Sequence, residues 1–411
     1  MRFAEATVNN PTPAILYGDE DERDTHGRRR RPWFKPSWNS EMFLALDFVS
    51  TVAAVRIDIA RKFLPTPRNL TQLLLEVSSQ QGPIIHLPHV LCHTFFRHGN
   101  SEERLLEVRR HLRKFGATCR LGPFDTIKVE WPLPDILPLV SIMIPTKDKA
   151  NLLRACVESV LVRTEYANFE ILIIDNGSVE PSTKRYFDEI AENPRVRIIS
   201  YAGSFNFSAM NNFAAQHSLG DYLCLLNNDT EILERTWLTE MMRYAVRSEV
   251  GAVGAKLLYE DGSIQHAGVV VGIGGVAGHA HRHLPSGSPG YFRQPHVSQF
   301  VSAVTAACLV VKKSKFTEVG GLDELELPVA FNDVDFCLKL QAAGYRNVYV
   351  PHAVLVHHES KSRGSDSSRR NVARFRREVR VLQERWGTGT YADPLHHPHL
   401  ERGMETYIVR L

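Results

Sequence analysis

Cysteine is scarce in this chain, and the few present do not pair. Cys92, Cys119, Cys156, Cys224, Cys308 and Cys337 are far apart with no Cys-x-x-Cys step, which argues against zinc-ribbon and dithiol chemistry and reads as thiols kept reduced. Long apolar runs are missing as well. The longest, residues 301–311 and 267–276, fall short of the ~20 that span a bilayer, and the first ten residues lack the basic and apolar regions of a secretion signal. A cytoplasmic protein is expected, at most peripheral on the inner face of the cell membrane. Charge of one sign is lacking: 49 Lys and Arg against 46 Asp and Glu leave a net +3 over 411 residues, so no nucleic-acid partner is expected. A glycine cradle for phosphate is absent too. There is no Walker sequence, and Gly272-Ile-Gly-Gly-Val-Ala-Gly278 has the wrong spacing for a dinucleotide loop. A nucleotide held here needs another way to neutralise its diphosphate, most simply a divalent cation on carboxylates.

What is present, 43% hydrophobic, 23% charged and 9% aromatic residues, is the make-up of a globular chain long enough for two or three domains. From residue 139 short β-branched runs alternate with helical stretches: 139–144 then 151–162, 169–175 then 182–192, 195–200 then 208–217, 222–228 then 234–247. This alternation predicts right-handed βαβ crossovers on a mostly parallel, Rossmann-like sheet covered on both faces, an α/β fold. Ligands of such sheets sit beyond the carboxyl ends of the strands. The residues leaving the first, second and fourth strands are Pro145-Thr146-Lys147-Asp148, Asp175-Asn176-Gly177-Ser178 and Asn227-Asn228-Asp229. A single Asp after a strand is commonly a cap or turn former, whereas three on one edge predict a ligand site.

The ordered set VSIMIPTKD (140–148), FEILIIDNGS (169–178), LLNNDTE (225–231), SAVTAAC (302–308), AFNDVD (330–335) and HHES (357–360) resembles the GT-A glycosyltransferases of family 2. The similar branch is the bacterial one of O-antigen and other surface polysaccharides, rhamnosyltransferases among them, and the resemblance covers roughly residues 139–386. It implies a GT-A fold and inverting transfer of one sugar from a nucleotide-diphosphate sugar donor to a glycan or lipid-linked saccharide acceptor. It further implies that Pro145, Thr146, Asp148, Asp175, Asn176, Asn227 and Asn228 bind the donor nucleotide, with Thr146 and Asp175 on base and ribose. Asp229 and His357 are the implied ligands of Mg2+ or Mn2+, with adjacent His358 as the alternative histidine, and Asp333 is the implied general base. Two positions depart from the family. Asn227 replaces the first acid of the Asp-x-Asp motif, and Asn332 replaces the Glu of a Glu-Asp pair. Asn ligates through a carbonyl oxygen without charge, so weaker or water-mediated metal binding is expected. Asp333 and Asp335 also suit the first turn of a helix over 334–343, where acids favour the macrodipole; for Asp335 that account suffices. The Gly- and His-rich stretch 265–283 reads as a loop over the site, and its four histidines match no zinc spacing.

The first 140 residues carry two internal echoes. AILYGDED (14–21) echoes AKLLYEDG (255–262), and GPIIHLPHVLCH (82–93) echoes residues 344–358. Residues 1–96 are therefore expected to be a truncated, inactive second half of another GT-A domain. No acid lies between Asp58 and Glu76, so the counterpart of Asp333, near 70–73, has no base. Asp19 and Asp21 are matched to a strand end rather than to a metal motif. Residues 97–138 read as a connecting helix (101–115) and a proline-marked linker, 139–360 as the catalytic domain, and 361–411 as a basic helix and tail. Arg28 to Arg31 and the Arg-rich helix over 369–386 read as solvated faces, with docking on an anionic membrane as the sharper alternative. Gln383-Glu384-Arg385-Trp386 is one residue short of the Gln-x-x-Arg-Trp of processive synthases, which argues against a polymerase. The competing function is a non-catalytic nucleotide-sugar-binding or assembly subunit, favoured by Asn227 and Asn332. A nucleotidyltransferase would show a Gly- and base-rich loop where Pro145-Thr146 stands.

Overall fold

Val140 to Thr146 and Phe169 to Asp175 are apolar almost without interruption, and the structure buries both along nearly their whole length, as expected of strands covered on two faces. The computed structural model describes residues 2–9, 12–63, 67, 69–79, 82–95, 102–358 and 369–410. Six strands precede the main sheet: β1 (Ile15–Arg23), β2 (Arg29–Trp33), β3 (Ala53–Val55), β4 (Ile84–Thr94), β5 (Thr118–Leu121) and β6 (Ile127–Glu130). The main sheet and its hairpins comprise β7 (Val140–Thr146), β8 (Phe169–Asp175), β9 (Val196–Ser200), β10 (Tyr222–Leu226), β11 (Thr230–Ile232), β12 (Val250–Leu258), β13 (Ile264–His266), β14 (Val269–Val271), β15 (Ala277–His279), β16 (Gln299–Val301), β17 (Cys308–Lys312) and β18 (Arg346–His357).

The strand order β11-β18-β12-β17-β10-β7-β8-β9 realises the expected α/β architecture. β10, β7, β8 and β9 run parallel, joined by helices Ala150–Arg163, Pro181–Ile190 and Phe207–His217. Local chemistry sets the helix starts: Pro181 occupies the first turn, and Asn206 Oδ1 accepts from Ala209 N–H. β17 departs from the parallel pattern, running antiparallel to β10 and β12. β10 ends at Leu226 rather than at 228, because Asn227 O is taken by Thr230 Oγ1 in a turn (2.8 Å). The helix expected over 234–247 spans Trp237–Ala245, since Leu233 and Glu234 still donate to Val354 O.

In the first sheet β1 pairs parallel with β4 and antiparallel with β2 and β3. The β1–β4 register slips where Gly18 faces Leu87 and Asp19 faces Val90; in β12–β18 Ala255 faces Val350 and Lys256 faces Val354. Both slips contain a Pro-His step, Pro88-His89 and Pro351-His352, and proline cannot donate to a ladder. Counted from the slips, Gly18 corresponds to Ala255, so the sequence match of Ala14 with Ala255 shifts by four residues. Asp19 and Asp21 lie inside β1, not at its end.

One apolar core joins the two parts. It runs from Ile15, Phe43 and Leu74 through Val108 and Trp131 to Ile142, Trp237 and Val253. A second cluster, with Met143, Leu225, Phe336 and Leu382, covers the other face of the main sheet. The connecting helix is Glu102–Arg113 and the C-terminal helix Arg369–Trp386; residue 101, Glu359 and Ser360 of the HHES motif, and residues 361–368 lie outside the described residues. All six cysteines are thiols, five of them buried. Among the described residues no helix is long and apolar enough to cross a membrane.

Candidate functional site

Beyond the carboxyl ends of β7 and β10 opens a cleft of about 690 Å3, lined by residues from the strand ends, the 265–282 loop, the start of helix Asn332–Ala342 and the C-terminal helix. Three non-glycine residues in its wall adopt positive φ: Asp148 (53°), Lys149 (59°) and Phe331 (58°). Such backbone costs roughly 1–3 kcal/mol per residue and marks positions where the surrounding structure dictates side-chain direction.

At the first wall Pro145, Thr146 and Asp148 line the cleft. Thr146 is buried and its Oγ1 accepts from Asn228 Nδ2 (3.0 Å). Asp148 is committed to the protein: its Oδ1 accepts the N–H groups of Val179 and Glu180 (both 2.8 Å) and its own N–H donates to Ser178 Oγ (2.8 Å). Asp175 sits one strand over, opposite Thr146 in the ladder, with Oδ1 accepting from Ser178 N–H. Asn176 is buried and donates to Gly203 O (2.7 Å). Neither Asp175 nor Asn176 lines the cleft.

At the second wall Asn227, Asn228 and Asp229 turn between β10 and β11, and β18 delivers His357 opposite Thr230. His357 Nδ1 faces Gln265 Oε1 at 2.6 Å. Because that oxygen can only accept, the ring proton is assigned to Nδ1 and the lone pair to Nε2. Nε2 then stands 3.2 Å from Asp229 Oδ1 and 3.2 Å from Asn227 Nδ2. That lone pair accepts from Asn227 Nδ2, and the imidazole nitrogen beside the Asp229 carboxylate oxygen is a donor set that suits a divalent ion taking the amide's place. The two adjacent histidines are told apart by their surroundings. His358 is held between Glu231 and Glu260 and does not line the cleft, whereas His357 does.

At the third wall Asp333 lines the cleft, with Oδ2 accepting Ala306 N–H (3.0 Å) and Oδ1 accepting Val334 N–H (2.8 Å). Asn332 is buried, with Nδ2 donating to Val329 O. Asp335 has a task beyond the helix start: fully buried, its Oδ1 accepts from Arg385 Nη1 (2.8 Å) and Trp386 Nε1 (2.9 Å). Those contacts dock the C-terminal helix, whose Asn371, Arg374 and Phe375 reach the cleft.

The Gly- and His-rich stretch contributes Gln265, His279 and Arg282 to the lining. His266 is wholly buried; burial, with His279 and His357 nearby, holds its imidazole far below the ordinary range. A cysteine nucleophile is excluded beside Asn227, because burial pushes the Cys156 thiol up to about 12.

Sequence reasoning missed Gln265 as the partner of His357 and Glu378 as a brace. Glu378 is buried, and its Oε1 accepts Val329 and Ala330 N–H (2.9 and 3.2 Å) just before Phe331. Its signal was one of few acids in an Arg-rich helix.

Residues 141–307 match the family model described as Glycosyl transferase family 2. The chain is 43% identical to the uncharacterized protein y4gI of Sinorhizobium fredii, over 97% of this chain and 46% of that protein. It is 34% identical to the O-antigen biosynthesis protein RfbC of Myxococcus xanthus, over 97% of this chain and 32% of that protein. The N-acetylglucosaminyl-diphospho-decaprenol L-rhamnosyltransferase of Mycobacterium tuberculosis is 25% identical over 64% of this chain and 89% of its own length. The chain thus spans less than half of each of the first two relatives.

Proposed function

A family 2 glycosyltransferase domain occupies residues 141–307, and from it we propose that this chain catalyses inverting transfer of a single sugar from a nucleotide-diphosphate donor. The acceptor is a glycan or lipid-linked saccharide of surface-polysaccharide synthesis; the M. xanthus relative is named for O-antigen biosynthesis and the M. tuberculosis relative as an N-acetylglucosaminyl-diphospho-decaprenol rhamnosyltransferase. The observation that carries the reading is the meeting of Asp229, His357 and Asp333 in one cleft.

Asp333 takes the acceptor's proton as that oxygen bonds to the anomeric carbon. The bond to the diphosphate breaks on the opposite face, so the nucleoside diphosphate leaves and the configuration inverts in one displacement. The two N–H groups on its carboxylate fix its direction. Thr146 and Asn228, hydrogen-bonded to each other, together with Pro145 and Asn227, form the floor on which the donor lies, and Asp175 and Asn176 border it from β8. Asp229 and His357 would hold Mg2+ or Mn2+. When bound, that ion supplies positive charge to the leaving diphosphate. The exposed Arg376, Arg377 and Arg380 of the C-terminal helix face the membrane that carries a lipid-linked acceptor. Co-sedimentation with anionic but not neutral vesicles checks that clause.

Residues 1–96 repeat part of the later fold as a second, inactive copy. The support is the shared order β4-β1-β3 and β18-β12-β17, with the same parallel and antiparallel senses and a Pro-His slip in each. The helix Leu70–Ser78, ahead of β4, has no acid in its first turn.

Calorimetric titration with UDP, dTDP and GDP, each with Mn2+ and with EDTA, tests the function. One nucleotide is expected to bind with metal, and not to Asp229→Ala. Asp333→Asn keeps that binding and loses transfer by roughly 10²–10⁴-fold. Absence of nucleotide binding in every condition overturns the enzyme in favour of an assembly subunit.

A further inference from the structure

Strand β1 carries four consecutive acids, Asp19, Glu20, Asp21 and Glu22, and all four are buried. Three face cationic side chains. Glu20 pairs with Lys35 Nζ (2.9 Å), Asp21 with Arg29, and Glu22 with Arg31 (3.5 Å). Asp19 instead faces two imidazoles, one from each end of the chain. Its Oδ1 lies 2.7 Å from His86 Nε2 and accepts Lys35 N–H (2.9 Å). Its Oδ2 lies 2.9 Å from His397 Nε2, yet these two buried atoms are not aligned for a hydrogen bond and have no other hydrogen-bond partner. One ligand atom from each residue falls within 4.8 Å of the others. Aromatic rings wall the group: Tyr17 stacks on His86 (4.9 Å) and Phe34 on His397 (4.8 Å). The Tyr17 hydroxyl donates to Pro36 O and so is committed elsewhere.

We propose that Asp19, His86 and His397 form a second metal site, for a zinc-class transition ion, remote in role from the cleft. None of the three lines the cleft. The donor set decides the ion: two imidazole nitrogens and one carboxylate suit Zn2+ and its neighbours, whereas Mg2+ and Ca2+ favour all-oxygen cages. At His397 the ion competes with a hydrogen bond, because His399 N–H donates to Nδ1 (3.0 Å). Ligation through Nε2 moves the ring proton to Nδ1 and gives that bond up.

The role is that of a staple. His86 and Asp19 belong to the first sheet, and His397 to the tail beyond the C-terminal helix. That tail also braces the loop over the cleft. Glu405 accepts His279 N–H (2.7 Å), Asp393 accepts Val271 N–H (2.8 Å), and Arg402 O accepts Gly274 N–H (2.8 Å).

The test is metal content and thermal unfolding of the full chain after chelation and re-equilibration with Zn2+. One equivalent of zinc is expected in the wild type and in Asp229→Ala, and none in His397→Gln or His86→Gln. Zinc should raise the Tm of the wild type and leave that of His397→Gln unmoved. Since His397 lies in the tail, unchanged circular dichroism of His397→Gln separates lost binding from lost folding. Visible ligand-field bands of bound Co2+, present in the wild type and absent in His397→Gln, would identify the nitrogen donors. The proposal fails if wild type and His397→Gln hold the same zinc, or if zinc leaves the wild-type Tm unchanged. A hydrogen-bonded cluster without metal gives that second result.

Discussion

Gln265 decides what His357 can do. By accepting from Nδ1 it leaves the Nε2 lone pair toward Asp229, and methionine, of similar length, cannot accept in the same way. Gln265→Met is expected to lower Mn2+ affinity by roughly 10–100-fold, as loss of a partner behind a metal ligand commonly does; calorimetry of Mn2+ with saturating nucleotide measures it. An unchanged affinity would mean that His357 is not a ligand. Lys256, at the register slip of β12, is the counterpart of Asp19 by position and shows another residue-level effect. Burial alone pushes its ammonium down to about 8 from 10.5, and His281, His296 and His352 are close enough to feel its charge. From pH 8 upward the folded chain has released a proton that the unfolded chain keeps until 10.5, so this group adds stability as pH rises through that window. Urea midpoints should therefore show the wild type gaining on Lys256→Met between pH 8 and about 9.5, short of tyrosine ionisation at about 10. A constant difference between the two would refute the buried-lysine account.

The C-terminal helix is the element on which the cleft most depends. It is anchored at one end by Asp335 on Arg385 and Trp386, with Asp323 on Arg385 Nη2 (2.8 Å), and in its middle by Glu378 on the loop before Phe331. Asp335→Asn leaves Arg385 half-matched next to a buried amide. The expected loss is about 2 kcal/mol in urea unfolding, below the ~3–5 of a fully buried pair because Arg385 is one-third exposed. Transfer should fall further than stability explains, since Arg374 and Phe375 ride on the same helix; equal losses would assign Asp335 to stability alone. The helix itself was legible in the sequence because its apolar positions recur at helical spacing. Its docking was not, because Asp335 and Arg385 are 50 residues apart and each carries an ordinary local role. The same contrast holds at the site. Strand ends exposed Thr146, Asn227 and Asp229 to a reading of pattern alone, since a parallel sheet collects what leaves its strands on one edge. Gln265 with His357, and Asp19 with His86 and His397, are contacts across 67 residues or more, for which period and propensity carry no signal.

At the scale of the whole molecule, the segment before residue 139 is not a detachable appendage. Its Phe43, Leu74, Val108 and Trp131 belong to the same core cluster as Ile142, Ile171 and Trp237. Polar bonds cross the same boundary where water is excluded: Glu41 accepts from Arg247 (2.7 Å), Lys128 pairs with Glu240 (2.7 Å), and Asn39 Nδ2 donates to Phe300 O (2.9 Å). Removing residues 1–138 would strip the covering from one face of the sheet, take Lys128 from Glu240 and leave Arg247 with Glu249 but not Glu41, and an exposed apolar face of that kind drives association. The piece 139–411 is therefore expected to elute from gel filtration as an aggregate and to bind a hydrophobic dye, although it contains the whole matched domain and the cleft. A monodisperse piece with the Tm of the full chain would show instead that the first sheet only rests on the second. That result would make 139–411 a domain in the strict sense and reduce the first segment to a passenger, whereas aggregation fixes that segment's function as the missing wall of the main sheet's core.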